Sequence, residues 1–214
     1  MTSTTTRSAR RASVLPEAAA VGIFRAPDAG RFVAAAEVLA EAGLTCLEFT
    51  MTSAGALEAL VEAKRRLPGV LLGVGTVRTP DHLRAAADAG ADFAVSQVVL
   101  PRLVATAAEL GLSYVPGALT PTEIVTAWEL DVPLVKVSPI GPLGGPDYLR
   151  ELRGPLPDIA LMPTGGVTVD NAADYLRLGA AAVGVSGSLV GDALTGGDLG
   201  ALRHRADQLV ASLR

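Results

Sequence analysis

Short apolar runs alternate with longer amphipathic stretches along almost the whole chain. The runs fall at 18–24, 45–50, 71–75, 93–96, 113–115, 134–137, 159–162 and 182–185, and they are rich in Val and Ala. Runs of four to eight residues with near-continuous hydrophobicity predict strands buried on both faces. Between them, apolar positions recur at helical spacing, and helices are predicted to begin near Asp28, Ser53, Thr79, Pro101, Pro121, Pro146, Val169 and Asp198. Proline suits a first helical turn, because the N–H it lacks would have had no partner there. Thr79-Pro80 and Thr120-Pro121 add an N-cap hydroxyl before that proline. Gly43, Gly90, Gly111 and Gly179 close four of the helices, where the left-handed conformation turns the chain into the next strand.

Eight strand–helix units at a spacing of roughly 25 residues predict an α/β fold, a (β/α)8 TIM barrel formed by a single domain over residues 14–214. An open doubly wound sheet is the alternative, but the glycines after the first strand make no dinucleotide-binding fingerprint. Residues 1–13, rich in Thr, Ser and Arg with no apolar stretch, are expected to form a disordered tail. Pro16 and Glu17 break the segment that follows, so no secretory signal is predicted. Every uninterrupted apolar run falls short of the ~18 residues of a membrane span.

Composition narrows the classes of partner. A formal net charge of −4 over 214 residues offers no attraction to nucleic acid or to an anionic membrane. Cys46 is the single cysteine, which excludes an internal disulfide and fits a reducing cytoplasm. It lies in an apolar run and reads as a small buried hydrophobe. His82 and His204 both fall on predicted helices far apart in sequence, so a metal centre is not expected.

In a barrel of this kind, chemistry sits where strands end and loops begin. The polar residues at those positions are Arg25, Glu48, Thr50, Thr52, Thr76, Gln97, Lys136, Thr164 and Ser186. Lys136 interrupts an apolar β pattern, and only one other lysine exists, Lys64 on a predicted helix. Burial lowers a lysine's pKa and frees the neutral amine as a nucleophile toward carbonyls. A strand lysine facing outward and snorkelling to solvent is the bland alternative. Glu48 interrupts another apolar strand, either as an ion-pair partner for Lys136 or Arg25 or as a general acid/base.

The loops after the last two strands read as an anion cradle formed by Gly165, Gly166, Ser186, Gly187 and Ser188, although Gly-Gly also serves as a plain tight turn. Thr76 is a candidate for holding a substrate carboxylate with Arg25 supplying charge, or else a turn residue.

Glu48 before Phe49-Thr50, Gly73-Val74-Gly75-Thr76-Val77, Lys136 and Pro163-Thr164-Gly165-Gly166-Val167, in that order, resemble the 2-keto-3-deoxy-6-phosphogluconate (KDPG) and 4-hydroxy-2-oxoglutarate (KHG) aldolase family. The resemblance runs from about Ala18 to Leu213. It implies a homotrimer of barrels acting on a small-molecule keto acid, cleaving it to pyruvate and an aldehyde without a cofactor. It also implies that Lys136 forms the Schiff base, that Glu48 moves protons, and that Arg25 and Thr76 hold the pyruvyl carboxylate. Thr52, where some members carry arginine, joins that carboxylate set. Gln97 and Ser138 depart from the family pattern of proline and an aromatic residue, and should give a wider, more polar pocket. Two other readings stay open: a metal-free phosphosugar isomerase or epimerase using Glu48 as base, and a non-catalytic barrel that binds an anionic ligand.

Overall fold

The computed structural model describes Leu15 and residues 19–213, so the expected tail at 1–13 lies outside the described residues. Among the described residues, nine parallel strands run as β1 (Ala19–Phe24), β2 (Cys46–Thr50), β3 (Leu71–Val77), β4 (Phe93–Ser96), β5 (Ser113–Val115), β6 (Gly117–Ala118), β7 (Val135–Val137), β8 (Leu161–Pro163) and β9 (Ala182–Val185). They form a six-stranded sheet in the order β5-β4-β3-β2-β1-β9 and a three-stranded sheet in the order β6-β7-β8. The result is a curled parallel sheet within an α/β fold.

Helices cover the outside: α1 (Phe32–Glu41), α2 (Ala56–Arg66), α3 (Pro80–Asp88), α4 (Pro101–Glu109), α5 (Pro121–Glu129), α6 (Pro146–Arg153), α7 (Ala172–Arg177), the short α8 (Gly187–Val190) and α9 (Leu199–Ser212). Among the described residues, no helix is long and apolar enough to cross a membrane.

The expected repeat of eight strand–helix units differs at one strand. The stretch read as 113–115 continues, after Pro116, into β6, which pairs with β7 in the second sheet. Proline has no N–H to give to a ladder, so pairing is interrupted there. Its carbonyl still accepts from Lys136 N at 2.9 Å. At the other side the two sheets touch through a Thr164–Gly184 bridge and the Ala181 N to Leu161 O bond of 2.9 Å.

Two apolar clusters follow from the period-2 alternation of strand side chains. Phe24, Leu47, Phe49, Leu72, Val74, Val135 and Val137 face the helices. Their neighbours Val21, Ile23, Cys46, Phe93, Val95, Leu134, Met162 and Ala182 form a second, inner cluster, joined by Leu15. Continuing the same alternation toward the strand ends brings Arg25, Glu48, Gly75, Gln97, Lys136, Ser138, Thr164 and Ser186 onto the inner side. The pattern that builds the core therefore also sets the site above it.

Helix boundaries follow the caps. Thr79 accepts from His82 N at 3.2 Å, and Thr120 and Glu123 form a reciprocal capping box. Helices α1, α2 and α7 start three or four residues later than their sequence patterns predict, at Phe32, Ala56 and Ala172. Their entry residues are held in loops: Ala29 N donates to Ala54 O, and Thr168 and Asn171 exchange side-chain bonds.

Gly73 is a tight point of the inner cluster, since a Cβ there would lie 2.4 Å from the Phe93 ring. Gly73→Ala is expected to lower stability by about 1–3 kcal/mol through overpacking, read by urea denaturation. Recovery of part of that loss in the Phe93→Leu background checks that the ring is the cause.

Candidate active site

Lys136 stands between Val135 and Val137, which are buried toward the helices, so its own side chain faces inward above Leu134. Only 3% of it is exposed. Desolvation pushes its pKa below the ordinary lysine value, with nearby Arg25 adding to the fall and Glu48 opposing it. Glu48, on β2, has no exposed surface, and neither of its carboxylate oxygens has a hydrogen-bond partner. These are the two buried charged residues among the described ones. Across the sheet, Glu48 lies in register with Ile23 and Gly73, and Lys136 with Gly117 and Met162. The outward-facing alternative for Lys136 is thereby excluded.

Arg25 and Thr76 are brought together: Arg25 Nη2 donates to Thr76 Oγ1 at 3.1 Å. Thr76 holds a φ of 62°, costly for a β-branched residue. The β3–β4 register shifts between Val74 and Val77, so the strand end is irregular where Thr76 turns toward Arg25. Such strain persists only where its surroundings enforce it, and it concentrates at functional sites.

Thr52 joins a different group. Its hydroxyl donates to Thr50 Oγ1 at 3.4 Å, and Thr50 and Ser53 hydroxyls lie 3.2 Å apart. Ser53 Oγ in turn accepts from Ala26 N at 3.2 Å, tying the loop after β1 to the loop after β2. Sequence reasoning gave Ser53 no role beyond a helix start, since its bond partner lies 27 residues away.

Gln97 and Ser138 meet across the ends of β4 and β7, with Gln97 Nε2 3.4 Å from Ser138 Oγ. Both line a cavity of about 580 Å³ that also borders Gly117, Leu119 and Glu123.

The two loops expected to cradle an anion have further structural duties. Gly165 and Gly166 have φ of 74° and 105°, and a Cβ on Gly166 would lie 2.5 Å from Gly141 Cα. Gly141 N donates to Gly165 O at 2.8 Å, so the pair admits the loop that follows β7. Ser186 Oγ donates to Ile23 O at 3.1 Å, and Ser188 Oγ accepts from Val169 N at 3.2 Å. Arg205 Nε and Nη2 donate to Leu189 O and Val190 O at 2.6 and 3.0 Å, and Arg31 holds Ala193 O and Gly197 O. The segment after β9 is thus fixed from behind. Gly187 is exposed, with open space around its α-carbon. Cys46 lies one inner position below Glu48, its thiol pushed up to about 12 chiefly by burial, with the charges of Glu48 and Asp92 adding. That is an inert thiol.

A buried amine with its proton loosened, a buried carboxylate and an arginine at one mouth of a parallel α/β sheet define an enzyme class suited to carbonyl chemistry through an amine nucleophile. The chain belongs to the KDPG and KHG aldolase family, whose profile matches residues 12–203. It is 37% identical over 143 residues to the 2-dehydro-3-deoxy-phosphogluconate aldolase of Pseudomonas aeruginosa, covering 67% of this chain and 65% of that one. Identity to the enzyme of the same name from Treponema pallidum is 36% over 166 residues, 78% and 76% of the two chains. Among solved structures, the 2-keto-3-deoxy-6-phosphogluconate aldolase of Zymomonas mobilis with 3-phosphoglycerate superposes with a TM-score of 0.81 at 26% identity, over 95% and 94% of the chains. These relatives are carbon–carbon lyases. They support the aldolase reading and give none to the isomerase or the non-catalytic barrel.

The lowered pKa of Lys136 has a thermodynamic signature. The folded state binds fewer protons than the unfolded one between the depressed pKa and 10.5, so this group makes stability rise with pH across that window. Lys136→Met removes the contribution. The stability of the variant relative to the native chain should therefore be highest at neutral pH and fall as pH approaches 10.5, measured by urea denaturation at a series of pH values. A pH-independent difference would contradict the burial argument.

Proposed function

We propose that this chain is a class I aldolase that cleaves or forms 2-keto-4-hydroxy acids through a Schiff base on Lys136. The observation that carries the reading is the pairing of a desolvated lysine with an unpartnered, buried glutamate at one end of the strands. Neutral Lys136 attacks the C2 ketone, and loss of water gives a protonated imine. That cation draws in the electron pair of the C3–C4 bond as the C4 hydroxyl loses its proton, releasing the aldehyde. The enamine left behind takes a proton at C3, and hydrolysis frees pyruvate and returns the amine. Glu48, acting through a water, is the acceptor and donor of those protons.

Arg25 and Thr76 receive the pyruvyl carboxylate, a set that the family resemblance extends to Thr52 although its hydroxyl bonds Thr50. The backbone of Gly165, Gly166, Ser186 and Gly187, with the hydroxyl of Ser188, receives an anionic group on the aldehyde half. Gln97 and Ser138 shape the space between. The names of the relatives support KDPG or KHG as the substrate type.

The same reading takes the two sheets as one (β/α)8 barrel of residues 14–214, with β5 and β6 a single strand broken at Pro116 and the circle closed by the Thr164–Gly184 bridge. It takes the assembly as a homotrimer and the location as the cytoplasm, both as implied by the family resemblance.

Pyruvate release, coupled to lactate dehydrogenase, is expected from phosphorylated or unphosphorylated 2-keto-3-deoxy acids. Lys136→Ala should lower it by on the order of a thousandfold or more while the protein still melts cooperatively. Borohydride reduction in the presence of pyruvate should add the reduced adduct to the peptide that carries Lys136. A folded, active protein with no adduct there would refute the Schiff base.

A further inference from the structure

We propose that Gly75 is a positioning residue: the space left by its missing side chain is the seat that holds the Glu48 carboxylate apart from the Lys136 amine. In the β2–β3 ladder Glu48 is in register with Gly73 and Thr50 with Gly75. The Glu48 side chain leans along the strand and occupies the next inner position of β3. A Cβ on Gly75 would lie 1.7 Å from Glu48 Oε1, 2.4 Å from Cδ and 2.8 Å from Cγ. Three consecutive side-chain atoms thus run through the volume that any other residue would fill, so with that volume occupied the Glu48 carboxylate must leave its place.

Gly73, two residues earlier, makes the same kind of gap for the Phe93 ring, which simply fills it with apolar contact. At Gly75 the occupant is a fully buried carboxylate with no hydrogen-bond partner on either oxygen. Shape alone fixes where this charge stands, and its lone pairs are left for water or substrate. The irregular end of β3 does a second job one residue on, where Thr76 turns to meet Arg25. One short segment therefore places the negative and the positive group around the amine.

Those two groups make up the charge that Lys136 meets. Glu48 approaches from β2 and Arg25 from the end of β1, and both act on the amine. The inner positions of the other strand ends, Gly75, Gln97, Gly117, Thr164 and Ser186, are neutral. With the seat filled, the Glu48 carboxylate has to swing into the mouth toward Lys136. An ion pair there would keep the amine protonated to higher pH and remove the base from its water.

The inference rests on the aldolase reading, and the experiment separates the two. Gly75→Ala is made in the native chain, together with Glu48→Asp, and together with Glu48→Ala. In pyruvate-release kinetics, Gly75→Ala should lower kcat by about tenfold or more, with a smaller change in KM. The acidic limb of its pH–rate profile should move upward by about one pH unit or more. Glu48→Asp, which retracts the carboxylate by one methylene, should move that limb back when added to Gly75→Ala. Thermal melting tests the seat without chemistry. Gly75→Ala should lower Tm by about 5 °C or more in the native chain, and by less than half as much beside Glu48→Ala, where the colliding atoms are gone. Equal losses in both backgrounds overturn the seat, whatever the enzyme's reaction. A coupled loss of Tm with an unmoved acidic limb overturns its role in posing the amine.

Discussion

An ammonium group taken out of water into an apolar strand is the constraint on which the rest of this structure turns. The charged form of Lys136 has almost no solvent to stabilise it, and Val135, Val137 and Leu134 offer nothing in return. Burial shifts the balance toward the neutral amine, the form that can act as a nucleophile toward a carbonyl. Glu48 is subject to the same burial. Its negative charge opposes the loss of the lysine's proton, while Arg25 promotes it. Desolvation outweighs the attraction, and neither Glu48 oxygen is engaged in a tight pair with the amine.

Holding that balance is a task for backbone shape. Gly75 gives the carboxylate its place, and Thr76 accepts an uncommon φ to reach Arg25. Behind the far loop, Arg31 and Arg205 occupy carbonyls that would otherwise point into partly buried space. Guanidinium suits that duty, since its fixed fork binds two carbonyls at once. Membership in the KDPG and KHG aldolase family fits this division between two buried charged side chains and a rigid frame.

Much of the frame was legible because both faces of each strand are apolar, so 45–50 or 182–185 announces itself by continuity alone. Proline placed α4, α5 and α6 at their first residues, Pro101, Pro121 and Pro146, because a missing N–H is a local property. The starts of α1 and α7 were less visible, since backbone and side-chain bonds from Ala29 and Asn171 hold their entries in loops. Pro116 stood in plain view, yet its effect on the ladder depends on which strand lies beside it. In the site, Lys136 and Glu48 were conspicuous because a charge inside an apolar run has a cost that a sequence displays. Gly75 and Ser53 were not, because their roles rest on how far Glu48 and Ala26 reach across neighbouring strands. Ser186 was visible as a polar residue at a strand end and Ser188 as a hydroxyl in the loop beyond it, but their bonds to Ile23 and Val169 needed coordinates.

The chain contains two lysines, Lys64 and Lys136, which makes the central claim open to direct observation. In protein carrying lysine labelled with ¹³C at Cε, two resonances are expected, and Lys64→Arg assigns them. Followed against pH, the Lys136 signal should titrate well below 10.5. A Lys136 resonance that keeps its proton up to 10.5 or beyond would contradict the account.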